Sequence, residues 1–248
     1  QIKSAFCFFN QGKKSFLSAA RMPFKFKVII FISLIKNNSM QQSFIKFALE
    51  KNVLQFGDFT TKAGRKSPYF FNLASFDDGD SLKKLGEFYA EKIIEEKIEF
   101  DLLFGPAYKG ISLVGAIAIA LSNKGINIKF SSNRKEVKDH GEGGLIIGAP
   151  ISGKILIIDD VISAGTSIKE SFNIINSFNA EIVGIVVSID RKEKGSNQLS
   201  AIEEIYEKYQ VPVNSIIDLD NIIDFLKKDI SNKKILDGML AYKQKYGV

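Results

Sequence analysis

The sequence predicts an α/β fold in which a largely parallel sheet is flanked by helices. Two stretches, 100–125 and 154–178, each run from an aliphatic segment through a polar, glycine-bearing loop into a segment with helically spaced apolar residues. A third aliphatic segment, 181–189, follows the second of these helices directly. Strands that alternate with crossover helices favour parallel pairing. A chain of 248 residues is long enough for one substantial domain of this kind.

The first 39 residues differ in composition from the rest of the chain. They hold seven of the 34 Lys and Arg and none of the 28 Asp and Glu, so the net charge of +6 belongs to them and the remainder is nearly neutral. Their apolar core, 28–35, is too short to cross a bilayer. We interpret 1–39 as a basic extension without a catalytic role, with organellar targeting or membrane-surface association as alternatives. The domain is expected over 40–248, without a basic stripe for nucleic acid.

The domain is predicted to begin with an amphipathic helix and a hairpin. The helix is indicated by apolar residues at helical spacing: Phe44, Phe47, Ala48 and Val53. Short β-type runs then flank the polar segment 62–67, which predicts a hairpin turn. We expect Arg65 and Lys66 to be solvated in that turn. Phe70 and Phe71 are adjacent, so in a strand they point to opposite faces, and one of them can face a ligand.

A helix, a strand and a second helix are expected next. Residues 81–97 predict an amphipathic helix, whose apolar face is Leu82, Leu85, Phe88, Ile93 and Ile94. Residues 100–104 predict a buried strand, and 111–125 predict a helix that is apolar nearly all round and therefore central. Between them the loop GPAYKG places Lys109 at the carboxyl end of the strand. A lone loop lysine is usually solvated, so Lys109 by itself does not indicate a site.

Residues 126–130 predict another short strand, and the segment SSNRKEVKDHGEGG follows it over 131–144. This segment has little apolar surface to bury, so we expect it to be exposed and mobile. Four of its side chains are potential cations, Arg134, Lys135, Lys138 and His140, and its glycines can act as hinges. One interpretation is an ordinary solvated loop. The other is a lid that closes over a polyphosphate and excludes water.

The segment KILIIDDVISAGTS, 154–167, carries the most specific signal. Its aliphatic run 155–158 predicts a strand buried on both faces, and Asp159 and Asp160 follow at the strand's carboxyl end, where open α/β sheets bind ligands. The loop 163–167 offers backbone N–H groups, hydroxyls and a glycine at a helix N-terminus, a combination that suits phosphate. The acidic pair then suits sugar hydroxyls or the surroundings of a metal ion, although capping of the next helix is the plainer alternative. That helix is indicated by Ile168, Phe172, Ile175 and Phe178.

The segment DDVISAGTS resembles the phosphoribosyl pyrophosphate (PRPP) signature of type I phosphoribosyltransferases. The resemblance implies that the acidic pair holds the ribose 2′- and 3′-hydroxyls, that the loop holds the 5′-phosphate, and that GPAYKG is the pyrophosphate loop. NRKEVKDHGEGG is similar to the catalytic loop of orotate phosphoribosyltransferases in particular. The resemblance covers about 40–248 and leaves the basic extension out.

The resemblance also implies the site residues. Those for PRPP are Lys62, Tyr108, Lys109, Arg134, Lys135, Lys138, His140, Asp159, Asp160, Val161, Ile162, Ser163, Ala164, Gly165, Thr166 and Ser167. Lys109, Arg134, Lys138 and His140 are implied to be catalytic. Those for orotate are Lys62, Phe70, Phe71, Ser163 and Arg191. Ser163 stands where many relatives have Thr, which preserves the hydroxyl.

Further expectations follow from the same resemblance. The fold is that of type I phosphoribosyltransferases, with a small hood made from about 40–80 and the C-terminal part. The reaction is transfer of 5-phosphoribosyl from PRPP to orotate, giving orotidine 5′-monophosphate and pyrophosphate in pyrimidine synthesis. Mg²⁺ is held through PRPP rather than by protein side chains, with Asp159 and Asp160 nearby. The chain forms a cytoplasmic homodimer in which Arg134, Lys138 and His140 reach the neighbouring subunit's site, and neither nucleic acid nor a membrane is a partner.

The last part of the chain is expected to be mainly structural. The strand 181–189 ends in Asp190-Arg191, and an arginine there is, taken alone, as readily a salt-bridge residue as a ligand contact. The resemblance implies that Arg191 binds the carboxylate of the pyrimidine, a role that suits a planar bidentate donor. From Leu199 the pattern predicts two or three helices and one strand, 211–217, which close the sheet edge and pack.

Other classes of site are poorly supported. One His and one Cys exclude a His/Cys zinc site. A Ser-His-Asp triad would have to use His140, whose glycine-rich loop is a poor support for a base, and neither Walker nor Rossmann glycine spacing occurs. Two alternatives stay open: a phosphoribosyltransferase for another base, and a PRPP-sensing regulator that binds nucleic acid.

Overall fold

A six-stranded sheet lies at the centre of the part of the chain that the computed structural model describes, residues 40–61, 64–138, 144–162, 166–195, 198–228 and 232–248. In spatial order its strands are β5 (Gly144–Gly148), β4 (Lys129–Lys138), β3 (Leu102–Gly105), β6 (Lys154–Ile158), β7 (Glu181–Asp190) and β8 (Val213–Asp218). All neighbours are parallel except β5, which runs antiparallel to β4. The predicted α/β fold with a largely parallel sheet is confirmed. Residues 1–41 and 42–248 are separate units, and the prediction for 1–39 lies outside the described residues.

Seven helices are described. They are α1 (40–50), α2 (Gly79–Glu95), α3 (Lys109–Ser122), α4 (Thr166–Asn176), α5 (Ala201–Tyr209), α6 (Leu219–Leu226) and α7 (Lys233–Tyr246), with a 3₁₀ turn at Leu73–Ser75. Side chains that satisfy free backbone groups set several of the starts. At α5, for example, Ser200 and Glu203 form a reciprocal capping box. None of the described helices is long and apolar enough to cross a membrane.

The sheet is covered on both faces, which explains the unbroken aliphatic run of β6. Ile155 and Ile157 pack with Ile168, Phe172 and Ile175 of α4 in one core layer. The alternate residues of β6 point to the other face because side chains alternate along a strand. That face is covered by α2 and α3, which contact the sheet. All four residues of the run 155–158 are fully buried, as predicted.

A small two-stranded sheet lies apart from the main one. Strands β1 (Leu54–Thr60) and β2 (Lys66–Phe71) pair antiparallel, so the predicted hairpin is confirmed, and α7 contacts β2. The expectation of a solvated Arg65 was wrong. Its Nη2 donates to the carbonyl oxygen of Lys194 at 2.7 Å, and its Nη1 lies 3.5 Å from Glu193 Oε2. The arginine therefore ties the hairpin to a segment far along the sequence.

The segment after Phe130 differs from its prediction. Residues 129–138 form a strand of the sheet, and Ser131, Ser132 and Asn133 are buried rather than exposed. The prediction relied on the absence of apolar side chains. A strand between two neighbours is also stabilised by its backbone hydrogen bonds, which do not depend on side-chain polarity.

Several apolar residues of the predicted helices are exposed in the structure. Ile119 in α3 is 66% exposed, so this helix presents one apolar face to the surface although it is apolar nearly all round. Ile94 lies at the exposed end of α2, and Phe178 follows the end of α4. Residue type alone does not show which apolar residues of a nearly uniform segment face the sheet.

Candidate active site

The carboxyl ends of β3, β6 and β7 bring the predicted site residues to one edge of the sheet. Because these strands are parallel neighbours, the segments that follow them emerge side by side. Lys109 follows β3, the acidic pair follows β6, and Arg191 follows β7. A further bridge joins Val161 to Ile189, two residues before Arg191. The arrangement matches the edge at which open α/β sheets bind ligands.

Asp159 is buried, and both its carboxylate oxygens and its carbonyl oxygen accept hydrogen bonds. Its Oδ1 accepts from the backbone N–H of Asp160 at 2.8 Å, and its Oδ2 accepts from Ser167 Oγ at 2.7 Å. Its own carbonyl oxygen accepts from the hydroxyl of Tyr89, 2.8 Å away in α2. Burial raises the pKa of Asp159 to about 6, against the lowering effect of the Ser167 hydrogen bond, and the nearby charge of Asp160 raises it further. The carboxylate is therefore fixed in orientation and costly to ionise.

Asp160 connects two strand ends. Its Oδ2 forms an ion pair with Lys109 Nζ, and its Oδ1 accepts from the N–H of Val161 at 2.8 Å. Its carbonyl oxygen accepts from both Ser188 Oγ at 2.5 Å and Ser188 N at 2.9 Å, which anchors the pair to β7. About half of the Lys109 side chain is exposed, so the ammonium group reaches the open side of this edge.

The loop GPAYKG between β3 and α3 is held tightly at its base. A Cβ atom placed on Gly105 would lie 2.2 Å from the carbonyl oxygen of Gly110, so the two ends of the loop are in backbone contact. The N–H of Ala107 donates to Asn133 Oδ1 at 2.9 Å. Tyr108 is 74% exposed, and the peptide bond before it is cis. The loop thus projects Tyr108 and Lys109 from a rigid frame.

Strand β4 carries the first part of the predicted lid. Arg134 is half-buried, and Lys135 Nζ lies 2.7 Å from Glu170 Oε2 in α4. Lys138 is the last residue of β4, and nothing is described of its side chain. His140 lies outside the described residues. The structure therefore brings Lys135 to the helix that follows the PRPP-type signature.

Only part of that signature is described. Ser163, Ala164 and Gly165 lie outside the described residues, as does the Thr166 side chain. Ser167 is at the start of α4, where its hydroxyl donates to Asp159. The side chain of Ile162 is buried in the core layer, so this residue can contact a ligand only through its backbone.

The residues predicted to bind a base lie on the hairpin and after β7. Phe70 is 43% exposed and Phe71 is buried, so the two rings point to opposite faces as predicted, and Phe70 stacks on Phe59 with centroids 5.4 Å apart. Arg191 is packed over the ring of Tyr69 at 4.4 Å. Its Nη2 lies 3.4 Å from Ser67 Oγ on the same hairpin strand. Lys62 lies outside the described residues.

Several residues that shape this edge were missed by the sequence analysis. Tyr89 supports Asp159 from α2, Ser188 supports Asp160 from β7, and Asn133 holds the GPAYKG loop from β4. A tyrosine within the apolar face of α2 was a usable signal, because a buried tyrosine hydroxyl usually finds a partner. Ser188 and Asn133 gave no comparable signal, since one serine in a predicted strand does not indicate a partner and Asn133 was expected in an exposed segment.

The described residues contain no group of three or more His, Cys, Asp and Glu side chains arranged to hold a metal ion. At the acidic pair, both Asp159 carboxylate oxygens already accept hydrogen bonds, and Asp160 Oδ2 is paired with Lys109. Oxygen donors of this kind suit Mg²⁺, but the pair alone offers few free positions.

Comparison with known proteins agrees with this geometry. Residues 73–211 match the phosphoribosyl transferase domain family. The orotate phosphoribosyltransferase of Thiobacillus denitrificans is 51% identical over 205 residues, which are 83% of this chain and 97% of that protein. That of Neisseria meningitidis serogroup C is 51% identical over 208 residues, 84% of this chain and 98% of the relative.

Solved structures give the same result. The crystal structure of orotate phosphoribosyltransferase from Francisella tularensis superposes with a TM-score of 0.77 and 41% identity, over 83% of this chain and all of that one (100%). An orotate phosphoribosyltransferase from Mycobacterium tuberculosis, solved in complex with 5-phospho-α-D-ribosyl 1-diphosphate, shares the fold with a TM-score of 0.55. In that complex the identity is 19%, over 73% of this chain and 97% of the other.

Proposed function

Since this chain belongs to the phosphoribosyltransferase family, and within it to the orotate phosphoribosyltransferases, we propose that PRPP and orotate meet at the edge formed by β3, β6 and β7. The activity is that of a pentosyltransferase in pyrimidine biosynthesis. Orotate and PRPP would give orotidine 5′-monophosphate and pyrophosphate. The observation that carries the assignment to this edge is the ion pair of Lys109 with Asp160, which joins the ends of β3 and β6.

The acidic pair is suited to the ribose. Asp159 and Asp160 are oriented by backbone N–H groups and by Ser167. The lone pairs of their carboxylate oxygens that are still free to accept hydrogen bonds therefore point in fixed directions. We assign to them the 2′- and 3′-hydroxyls of PRPP. The loop 163–167, at the N-terminus of α4, would bind the 5′-phosphate through N–H groups and hydroxyls.

In the transfer, orotate N1 forms a bond to ribose C1 and gives up its proton to the departing diphosphate or to water, and the bond from C1 to the diphosphate oxygen breaks with its electron pair leaving on the diphosphate. The protein's task is to stabilise the charge that develops on the leaving group and to hold the base in line. Lys109 is half exposed at this edge and suits the first task. Arg134, Lys138 and His140 are assigned to it as well. Lys62, Phe70, Phe71 and Arg191 are assigned to the base.

Mg²⁺ is part of the proposal. We propose that the ion would be held through PRPP, with Asp159 and Asp160 nearby. When bound, the ion would neutralise charge on the diphosphate. The oxygen chemistry of the acidic pair supports this arrangement.

We further propose a cytoplasmic homodimer in which each lid completes the neighbouring subunit's site through Arg134, Lys138 and His140, while Lys135 acts in its own subunit. The contact between Lys135 and Glu170 on the same chain supports the last assignment.

The assay that tests the function is pyrophosphate release by the full chain with PRPP and Mg²⁺. Orotate is expected to support release, while uracil, adenine and hypoxanthine are not. Removal of the metal with EDTA should abolish release, and added Mg²⁺ should restore it. Release with a purine in place of orotate would instead identify a phosphoribosyltransferase for another base.

A further inference from the structure

Arg191 is surrounded by protein groups, one of which is a carboxylate. Glu193 Oε1 lies 2.6 Å from Arg191 Nε and 2.6 Å from Arg191 Nη2. Both side chains are largely buried, with 18% of each exposed. On the other side, the guanidinium carbon lies 4.4 Å from the centroid of the Tyr69 ring. The glutamate thus occupies one edge of the guanidinium and the ring covers one face.

Glu193 is itself fixed by groups from two other elements. The hydroxyl of Tyr242 in α7 donates to Glu193 Oε1 at 2.7 Å, and Arg65 Nη1 lies 3.5 Å from Oε2. Burial and the hydrogen bond to Glu193 both raise the pKa of Tyr242, so its hydroxyl remains a donor at neutral pH. The glutamate cannot follow a moving arginine without breaking these contacts.

One edge of the arginine remains for a ligand. Within the part of the chain that the structure describes, Arg191 Nη1 makes no hydrogen bond. A guanidinium has five N–H donors in a fixed plane, so occupation of Nε and Nη2 by Glu193 sets the direction in which Nη1 points. An arginine side chain without such a partner has many rotamers to lose on binding.

We propose that Glu193, held by Tyr242, is a positioning residue for the orotate carboxylate: it fixes Arg191 so that only the Nη1 edge is presented to the substrate. This inference rests on the proposed function, in which Arg191 binds orotate. It assigns a part in substrate selection to α7, a helix that was predicted to serve only for packing. It also explains why Arg65 is held against Glu193 instead of being solvated.

The first test is Glu193→Gln in the full chain, which keeps the shape and removes the charge. The KM for orotate should rise about tenfold or more, because a displacement of the Arg191 guanidinium by even about 1 Å weakens its contact with the substrate. The KM for PRPP should stay within about twofold of the wild-type value. The midpoint of thermal unfolding should stay within a few degrees of wild type. The matched control is Lys192→Met. This change also removes a charge next to Arg191 in sequence, but the partners of Lys192 are Asp218 and Asp220, so the contact between Glu193 and Arg191 is kept.

The second test is Tyr242→Phe, which removes the hydrogen bond to Glu193 at 2.7 Å together with the longer contact, 3.5 Å, that the same hydroxyl accepts from Arg191 Nη2. The KM of this variant for orotate should also rise. The control is Tyr246→Phe on the same helix, where the hydroxyl makes no hydrogen bond to a described residue, and this change should leave the KM for orotate unchanged. Unchanged KM values for orotate in both Glu193→Gln and Tyr242→Phe would overturn the inference. So would parallel changes in both KM values and the unfolding midpoint, which would show a purely structural role. A wild-type chain inactive with orotate would refute the proposed function itself.

Discussion

Lys109 Nζ and the carboxylate of Asp160 form an ion pair that joins the carboxyl ends of two neighbouring parallel strands. The pair therefore fits the proposed binding of PRPP, in which the Lys109 ammonium group lies next to the diphosphate and the Asp160 carboxylate lies next to the ribose. The pair also screens Asp160 from the charge of PRPP, which two unpaired carboxylates would repel.

Lys109→Ala is expected to lower kcat by roughly 10²–10³, by analogy with the loss of one charge-stabilising donor. Stability should change little, because the Lys109 end of the ion pair is half exposed, and ion pairs open to solvent contribute about 1 kcal/mol or less. Steady-state kinetics and thermal unfolding check the two parts. Lys124→Ala, which removes a surface lysine 4.0 Å from Glu91, is the control and should change neither quantity. Near wild-type kcat in Lys109→Ala would remove this residue from the mechanism.

Asp159→Asn is expected to stabilise the protein at neutral pH and to weaken PRPP binding. Burial raises the pKa of Asp159 to about 6 from its ordinary 3.8. The folded state therefore holds a proton that the unfolded state releases, and wild-type stability falls as the pH rises from about 4 to about 6. The asparagine avoids this loss, which amounts to roughly 3 kcal/mol at most.

Urea unfolding of both proteins between pH 4 and pH 7.5 measures this difference. The advantage of Asp159→Asn should be absent near pH 4, grow up to pH 6 and then level off. An advantage that is the same at every pH would show that ionisation of Asp159 is not its cause.

Tyr89→Phe should destabilise the protein by about 1–3 kcal/mol, because it leaves the buried carbonyl oxygen of Asp159 without its donor. The KM for PRPP should rise as well, since the acidic pair loses its support from α2. Tyr206→Phe is the matched control, because the Tyr206 side chain is half exposed. The free energy of unfolding of this variant should stay within about 0.5 kcal/mol of wild type. Equal effects of the two changes would deny Tyr89 a special role.

Lys138→Ala is expected to lower kcat by roughly 10²–10³ with little effect on folding, if the lid cation stabilises the leaving group. Mixing this inactive variant with an inactive Asp159→Ala/Asp160→Ala variant tests whether sites are shared. Heterodimers should then contain one intact site, and activity should return after mixing and subunit exchange. Absence of rescue, with exchange shown by a labelled subunit, would mean that each site is complete within one chain.

The elements predicted most accurately were those with strong local patterns. The run 155–158 could be recognised as a buried strand because both of its faces are covered, and the adjacent Phe70 and Phe71 could be assigned to opposite faces from the geometry of a strand. Burial of Ser131 and Asn133 could not be predicted, since it depends on β3 and β5 pairing with β4 from both sides.

The candidate site shows the same division. Asp159 and Asp160 could be identified because they follow a recognisable strand, and Lys109 because the neighbouring PRPP-type signature implies a pyrophosphate loop at its position. The partners that orient the site, Tyr89 and Glu193 among them, act through contacts between residues distant in the chain. Only the folded structure shows that Arg65 and Glu193, 128 positions apart, lie together.

The backbone contact between Gly105 and Gly110 limits how this enzyme can be redesigned. Even alanine at Gly105 would place a methyl group 2.2 Å from the opposing carbonyl oxygen, and at Gly110 one 2.5 Å from a backbone carbon. Libraries that vary this loop should therefore keep both glycines constant and diversify the outward-facing Tyr108. Mutational tolerance at this turn is confined to the side chains that point away from its base.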